Sequence, residues 1–135
     1  MDAPAVAVSS DGKTIAAAWM DMRAGANNRD VQWTVGAGGR FPPEAPVHDQ
    51  TQGIQGHPSL VADGAGLVWC AWEDARGGPN AQRIYAAESR TRKNIPVSSD
   101  SEGKAGYPSL AAAAGLVAVA YEAGPNVAVR ILSGK

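Results

Sequence analysis

The stretch Gly66-Leu67-Val68-Trp69-Cys70-Ala71-Trp72-Glu73-Asp74-Ala75-Arg76 decides how the chain is read. It is the most apolar run in the sequence, and it ends in a charged turn. An earlier copy is Thr14-Ile15-Ala16-Ala17-Ala18-Trp19-Met20-Asp21-Met22-Arg23, and a later, clipped one is Leu116-Val117-Ala118-Val119-Ala120-Tyr121-Glu122. The aromatic anchors Trp19, Trp72 and Tyr121 recur at a step of about 50 residues, which indicates a repeat architecture. Each run is apolar at consecutive positions, as expected of a strand covered on both faces.

Working outward, every repeat opens at a proline. Pro4-Ala5-Val6-Ala7-Val8, Pro58-Ser59-Leu60-Val61-Ala62 and Pro108-Ser109-Leu110-Ala111-Ala112 read as first strands, with proline where a missing N–H does least harm. Tight turns follow at Ser10-Asp11-Gly12-Lys13, Asp63-Gly64-Ala65-Gly66 and Ala114-Gly115. Glycine there supplies the positive φ that hairpin turns need. The aromatic-anchored runs are second strands. Third strands fall at 30–35, 83–87 and 127–132, and weak fourth strands at 45–48 and 94–97. The Ala-rich run 110–120 has helical propensity, but Pro108 and Gly115 bracket it and its counterparts alternate.

The fold class expected is therefore all-β: three four-stranded antiparallel propeller blades, the third truncated, forming one domain over 1–135. Blade one covers about 4–50, blade two about 57–98 and blade three about 107–135. A single β-sandwich of about eleven strands is the competing architecture. It gives no reason for an aromatic–acidic–basic pattern to recur at one place in each unit.

Composition narrows the function classes. The chain has 135 residues and a net charge of −1, so no global field draws in nucleic acid or an anionic membrane. No apolar run is long enough to span a bilayer, and the start of the chain has no signal-like pattern; the sequence assigns no compartment. The single cysteine, Cys70, allows no intrachain disulfide and reads as a small buried residue. No cofactor or metal site is expected. His48 and His57 flank one connection with Asp49 between them, fewer convergent ligands than a metal needs, and they read as solvated loop histidines.

The pattern Pro58-Ser59-Leu60-Val61-Ala62-Asp63-Gly64, then Trp72-Glu73-Asp74-Ala75-Arg76, then Ile84-Tyr85-Ala86, resembles the repeats of sialidase-like propellers, the neuraminidase-repeat or Asp-box superfamily. Gly36-Ala37-Gly38-Gly39-Arg40-Phe41 keeps the glycines and aromatic of an Asp-box but lacks its Ser and Asp, and the second copy near Ser89 to Asn94 has no glycine. The resemblance implies a six-bladed ring and a ligand site on the face carrying the long loops. Three blades leave apolar flanks and a sheet edge open. Pairing of two copies as a homodimer would close such a ring; a longer chain with further blades is the alternative.

Strand direction puts the second-to-third-strand loops and the blade-to-blade connections on one face. The candidate ligand-binding residues there are Asp21, Arg23, His57, Asp74, Arg76, Tyr107 and Glu122. An arginine fork can grip a carboxylate through two parallel hydrogen bonds. Because the Asp-x-Arg pair repeats, tying down its own loop or bridging to the next blade is the simpler role. A sialidase mechanism would need three arginines, a Tyr nucleophile with a Glu partner and an Asp acid/base. Tyr107 preceded by Glu102 is the nearest pairing, and it is too generic to make the chain an enzyme. Trp19, Trp33, Trp69 and Trp72 sit in strands and read as core. The function expected is a non-catalytic binding or assembly module for a glycan, a small anion or a protein. The alternatives are a sialidase-like glycoside hydrolase fragment or derivative, and a structural blade segment of a larger protein.

Overall fold

The computed structural model describes residues 2–133. The elements are strands β1 (Ala5–Val8), β2 (Thr14–Asp21), β3 (Asp30–Ala37) and β4 (Ala45–Pro46); β5 (Gln55–Ala62), β6 (Val68–Asp74), β7 (Arg83–Glu88) and β8 (Ile95–Pro96); and β9 (Ala105–Ala113), β10 (Leu116–Ala123) and β11 (Asn126–Ser133). They form three antiparallel sheets, β1-β2-β3-β4, β5-β6-β7-β8 and β9-β10-β11, each in chain order. This is the propeller-like, all-β arrangement expected from the repeats. The Ala-rich run is a hairpin, β9 into β10, turning at Ala114 (φ 51°) and Gly115 (φ 79°), two positive values in succession as a primed turn requires.

Blade packing explains why the second strands are apolar throughout. Every residue of β6 is buried. Val68, Cys70 and Trp72 face the first blade and pack with Ala16, Ala18, Val31, Trp33 and Leu60. Trp69 and Ala71 face the third blade and pack with Ile84, Val117, Val119 and Tyr121. Two separate cores, one on each side of the middle blade, replace the single core of a sandwich. Trp33, Trp69 and Trp72 lie in these cores, as does Cys70, whose thiol pKa burial pushes up.

The outer faces of the terminal blades are open. Val6 and Val8 on the first blade are 68% and 55% exposed, and Val127, Val129 and Ile131 on the third are 74%, 60% and 56% exposed.

Two expectations need correction. Inner strands β5 and β9 begin three residues ahead of Pro58 and Pro108, because each contains a bulge at its proline. His48 is not a solvated loop residue. It is buried, its Nε2 accepts the Val31 N–H at 3.3 Å, and its Nδ1 faces the Gln50 carbonyl, so it continues the pairing that the two-residue strand β4 breaks off.

Candidate functional site at the mouth of the inner strands

The bulges build the site. Gly56-His57-Pro58 and Gly106-Tyr107-Pro108 stand at one repeat position, and His57 (φ 46°) and Tyr107 (φ 54°) both adopt the left-handed backbone region that bulky residues avoid. This turn lifts one N–H out of each ladder, toward a carboxylate on the preceding blade. The His57 N–H donates to Asp2 Oδ2 at 2.5 Å and the Tyr107 N–H to Glu73 Oε2 at 2.7 Å. The glycine before each leaves room for the acid: a Cβ at Gly56 would stand 2.6 Å from the Asp2 carboxylate, and one at Gly106 2.9 Å from that of Glu73, so either would push the acid off its N–H.

The His57 imidazole, read from the sequence as a solvated loop side chain, lies instead in strand β5 and spans both acids. Its Nε2 is 3.1 Å from Asp2 Oδ1 and its Nδ1 is 2.8 Å from Glu73 Oε1. The Tyr107 ring leans on the imidazole at 4.7 Å between centroids and is otherwise open, with the residue 61% exposed.

Two cavities flank this cluster, one repeat apart. One, of about 220 Å³, is lined by Asp2, Arg29, Ile54, Gly56, His57, Glu73 and Gln82. The other, of about 230 Å³, has Gln82, Lys104, Gly106, Tyr107 and Glu122 at the matching positions. Glu122 is the repeat counterpart of Glu73; it is exposed, and its side chain makes no hydrogen bond among the described residues. The first blade has Met20 at that position, and Asp2 stands in for the missing acid.

The Asp-x-Arg pairs lie elsewhere, turned toward the outer strands. Asp74 is wholly buried and receives Trp72 Nε1 at 2.9 Å, the Arg76 N–H at 2.9 Å, and the Arg76 fork through Nε at 3.0 Å and Nη2 at 2.8 Å. Burial raises its pKa, but these donors outweigh burial and hold it below the usual carboxylate value. Arg76 continues to Asp49 at 2.9 Å and Asn94 at 3.1 Å and lies 3.9 Å from the Tyr85 ring centroid. Its guanidinium ties the end of the first blade to the outer edge of the second. Arg23 pairs with Asp21 through the single oxygen Oδ2, at 2.8 Å from Nε and 2.7 Å from Nη2, and reaches Glu44 at 3.0 Å. Those Arg23 hydrogen bonds lower the Asp21 pKa.

Of the candidate residues, His57 and Tyr107 meet, with Glu122 on the neighbouring cavity, whereas Asp21, Arg23, Asp74 and Arg76 form two separate peripheral pairs. Glu102 does not partner Tyr107. It accepts from the Tyr121 hydroxyl at 2.9 Å and from Arg130, and burial together with this acid pushes the Tyr121 phenol up to about 12. Asp2 and Glu73 escaped sequence reasoning. The Gly-x-Pro recurrence at 56–58 and 106–108 was the available signal. Among the described residues no cluster of three or more His, Cys, Asp or Glu is placed to hold a metal ion, and no helix is long and apolar enough to cross a membrane.

No family model matches the chain, and no curated protein does. Among solved structures it is similar to a thermostable family-43 glycoside hydrolase, with a TM-score of 0.60 and 15% identity, over 98% of this chain and 50% of that one. The chain thus spans about half the length of that protein. The likeness supports a propeller-like fold; it is not specific to sialidase-like repeats.

Proposed function

We propose that the chain is a non-catalytic, propeller-type binding module whose ligand is a neutral glycan seated at the mouth of the inner strands. The observation that carries this reading is Tyr107: a bulky side chain held in a costly backbone conformation, its ring open to solvent and braced by His57. Strain kept at an exposed aromatic residue points to use rather than packing. A flat ring beside Glu122, Gln82 and Lys104 suits a pyranose, with stacking on one face and hydroxyl hydrogen bonds at the rim. Asp2 and Glu73 each take a backbone N–H with one oxygen and contact the His57 ring with the other, which ties both acids into the blade joint. Carboxylates around the mouth disfavour an anion, and Arg23 and Arg76, which a sialic acid would call for, point away from it.

Calorimetric titration with xylohexaose, cellohexaose and sialyllactose tests the reading. A neutral hexaose should bind, and Tyr107→Ala should weaken it about tenfold or more. Binding of sialyllactose alone, or no binding by any of the three, would refute it. A second reading, glycoside hydrolysis, draws on the likeness to a glycoside hydrolase and on the free Glu122 carboxylate. Release of aryl aglycone from chromogenic glycosides, lost in Glu122→Gln, would establish it in place of binding.

A further inference from the structure

We infer that the open face of the third blade is a docking surface for a further β-blade whose inner strand begins Gly-x-Pro. The joint between the second and third blades shows what such a blade meets. There the second blade presents two acceptors to β9: Glu73 takes the Tyr107 N–H at 2.7 Å and the Ser59 hydroxyl takes the Leu110 N–H at 3.0 Å. Both acceptors recur one repeat later. Glu122 stands where Glu73 does, and Ser109 where Ser59 does. Both are exposed, and neither makes a side-chain hydrogen bond among the described residues. On the other side of Glu122 from Ser109, the same face continues onto β11 as apolar ground, bare at Val127, Val129 and Ile131, where the joint in the second blade covers Ile84 and Ala86. The surface repeats the acceptor placement of an interface already formed within the molecule.

The same geometry specifies the occupant. Glycine two before the proline lets the receiving acid keep its hydrogen bond, because a Cβ at Gly56 or Gly106 would meet the carboxylate and push it off the N–H. This chain's own first blade has Asp2 two places before Pro4. A second copy offering its first blade would set that acid against Glu122, so ring closure by two identical copies in this register brings like charges together. The fitting partner is a blade with glycine there. A docked blade would take Glu122 as its acceptor, as Tyr107 takes Glu73, and the cavity beside Glu73 remains open with the third blade in place.

A synthetic peptide of residues 103–133, which begins with a suitable Gly106-Tyr107-Pro108 strand, is the probe. It should bind the intact chain one to one by calorimetry. Gly106→Asp in the peptide, or Ser109→Ala with Glu122→Gln in the chain, should each weaken it about tenfold or more. Because a lone blade has nothing to cover its apolar face, residues 105–133 are also appended to the chain through a second copy of connection 97–104. Amide exchange should then slow across 126–133 relative to the unextended chain. Equal binding by the Gly106→Asp peptide would overturn the inference. So would failure of both the peptide and the appended blade to engage. A doubled sedimentation mass of the chain alone, restored to the single value by Val129→Arg, would assign the face to a second copy instead.

Discussion

Asp21–Arg23 in the first blade and Asp74–Arg76 in the second are written alike in the sequence and both pair through the guanidinium, yet they sit in different surroundings. The Asp74 side chain has no exposure and Arg76 keeps 20%, whereas Asp21 keeps 12% and Arg23 67%. The middle blade is covered on both sides and the first on one, so one motif becomes a buried clamp in one place and a solvated loop tie in the other. In a repeat protein, what a motif contributes is set by its neighbours as much as by its own residues.

Substitutions in matched positions would break or sharpen this contrast. Trp72→Ala removes a fully buried indole from the first core and should cost about 3–5 kcal/mol in urea unfolding; Trp19→Ala, on the half-open first blade, should cost about 1–2 kcal/mol. Near-equal losses would mean that the first blade is covered as fully as the second. Asp74→Ala leaves Arg76 and Trp72 Nε1 without their acceptor and should also cost about 3–5 kcal/mol, with Asp21→Ala giving only a small shift in midpoint.

Gly106→Ala should cost about 1–3 kcal/mol by forcing Glu73 off the Tyr107 N–H, while Gly115→Ala, with open space around its Cβ, meets only the backbone penalty of a positive φ. Acid titration offers a gentler comparison. The folded-state pKa of Asp74 lies below its unfolded value, so its contribution is complete above about pH 3.9 and fades as pH falls through the folded value. Asp74→Asn should be less stable near neutrality and show a flatter decline below pH 4 than the parent, measured by tryptophan fluorescence. The smallest effect on stability is expected at the mouth: Tyr107→Gly relieves the left-handed backbone cost of about 1–2 kcal/mol and loses only an exposed ring. It should leave the melting temperature unchanged or raised while removing glycan binding.

Much of the fold was legible because each level of the sequence agreed. Proline openings, Asp-Gly turns and aromatic-anchored runs recur in phase, and the Ala-rich run 110–120 could be placed as strands by its position in the repeat against its propensity. The inner mouth was only partly legible. His57 and Tyr107 stood out as loop residues before prolines, but their bulges depend on a carboxylate from the neighbouring blade, and pairwise contact across blades leaves no local pattern. Asp2 carries no motif, because it compensates for an acid missing at Met20 in a different strand. His48 misled for the opposite reason: its surroundings in sequence are those of a loop, while in space it caps the end of a strand pair.

Cys70 turns the central strand into its own reporter. The thiol lies with no exposure in the middle of β6, between two tryptophans in sequence, and its proton is held by burial. A maleimide or disulfide reagent can reach it only after a flanking blade has swung away. The rate of labelling in native buffer therefore clocks the opening of the core between the first and second blades, with a probe that the sequence already carries and that requires no engineered tag.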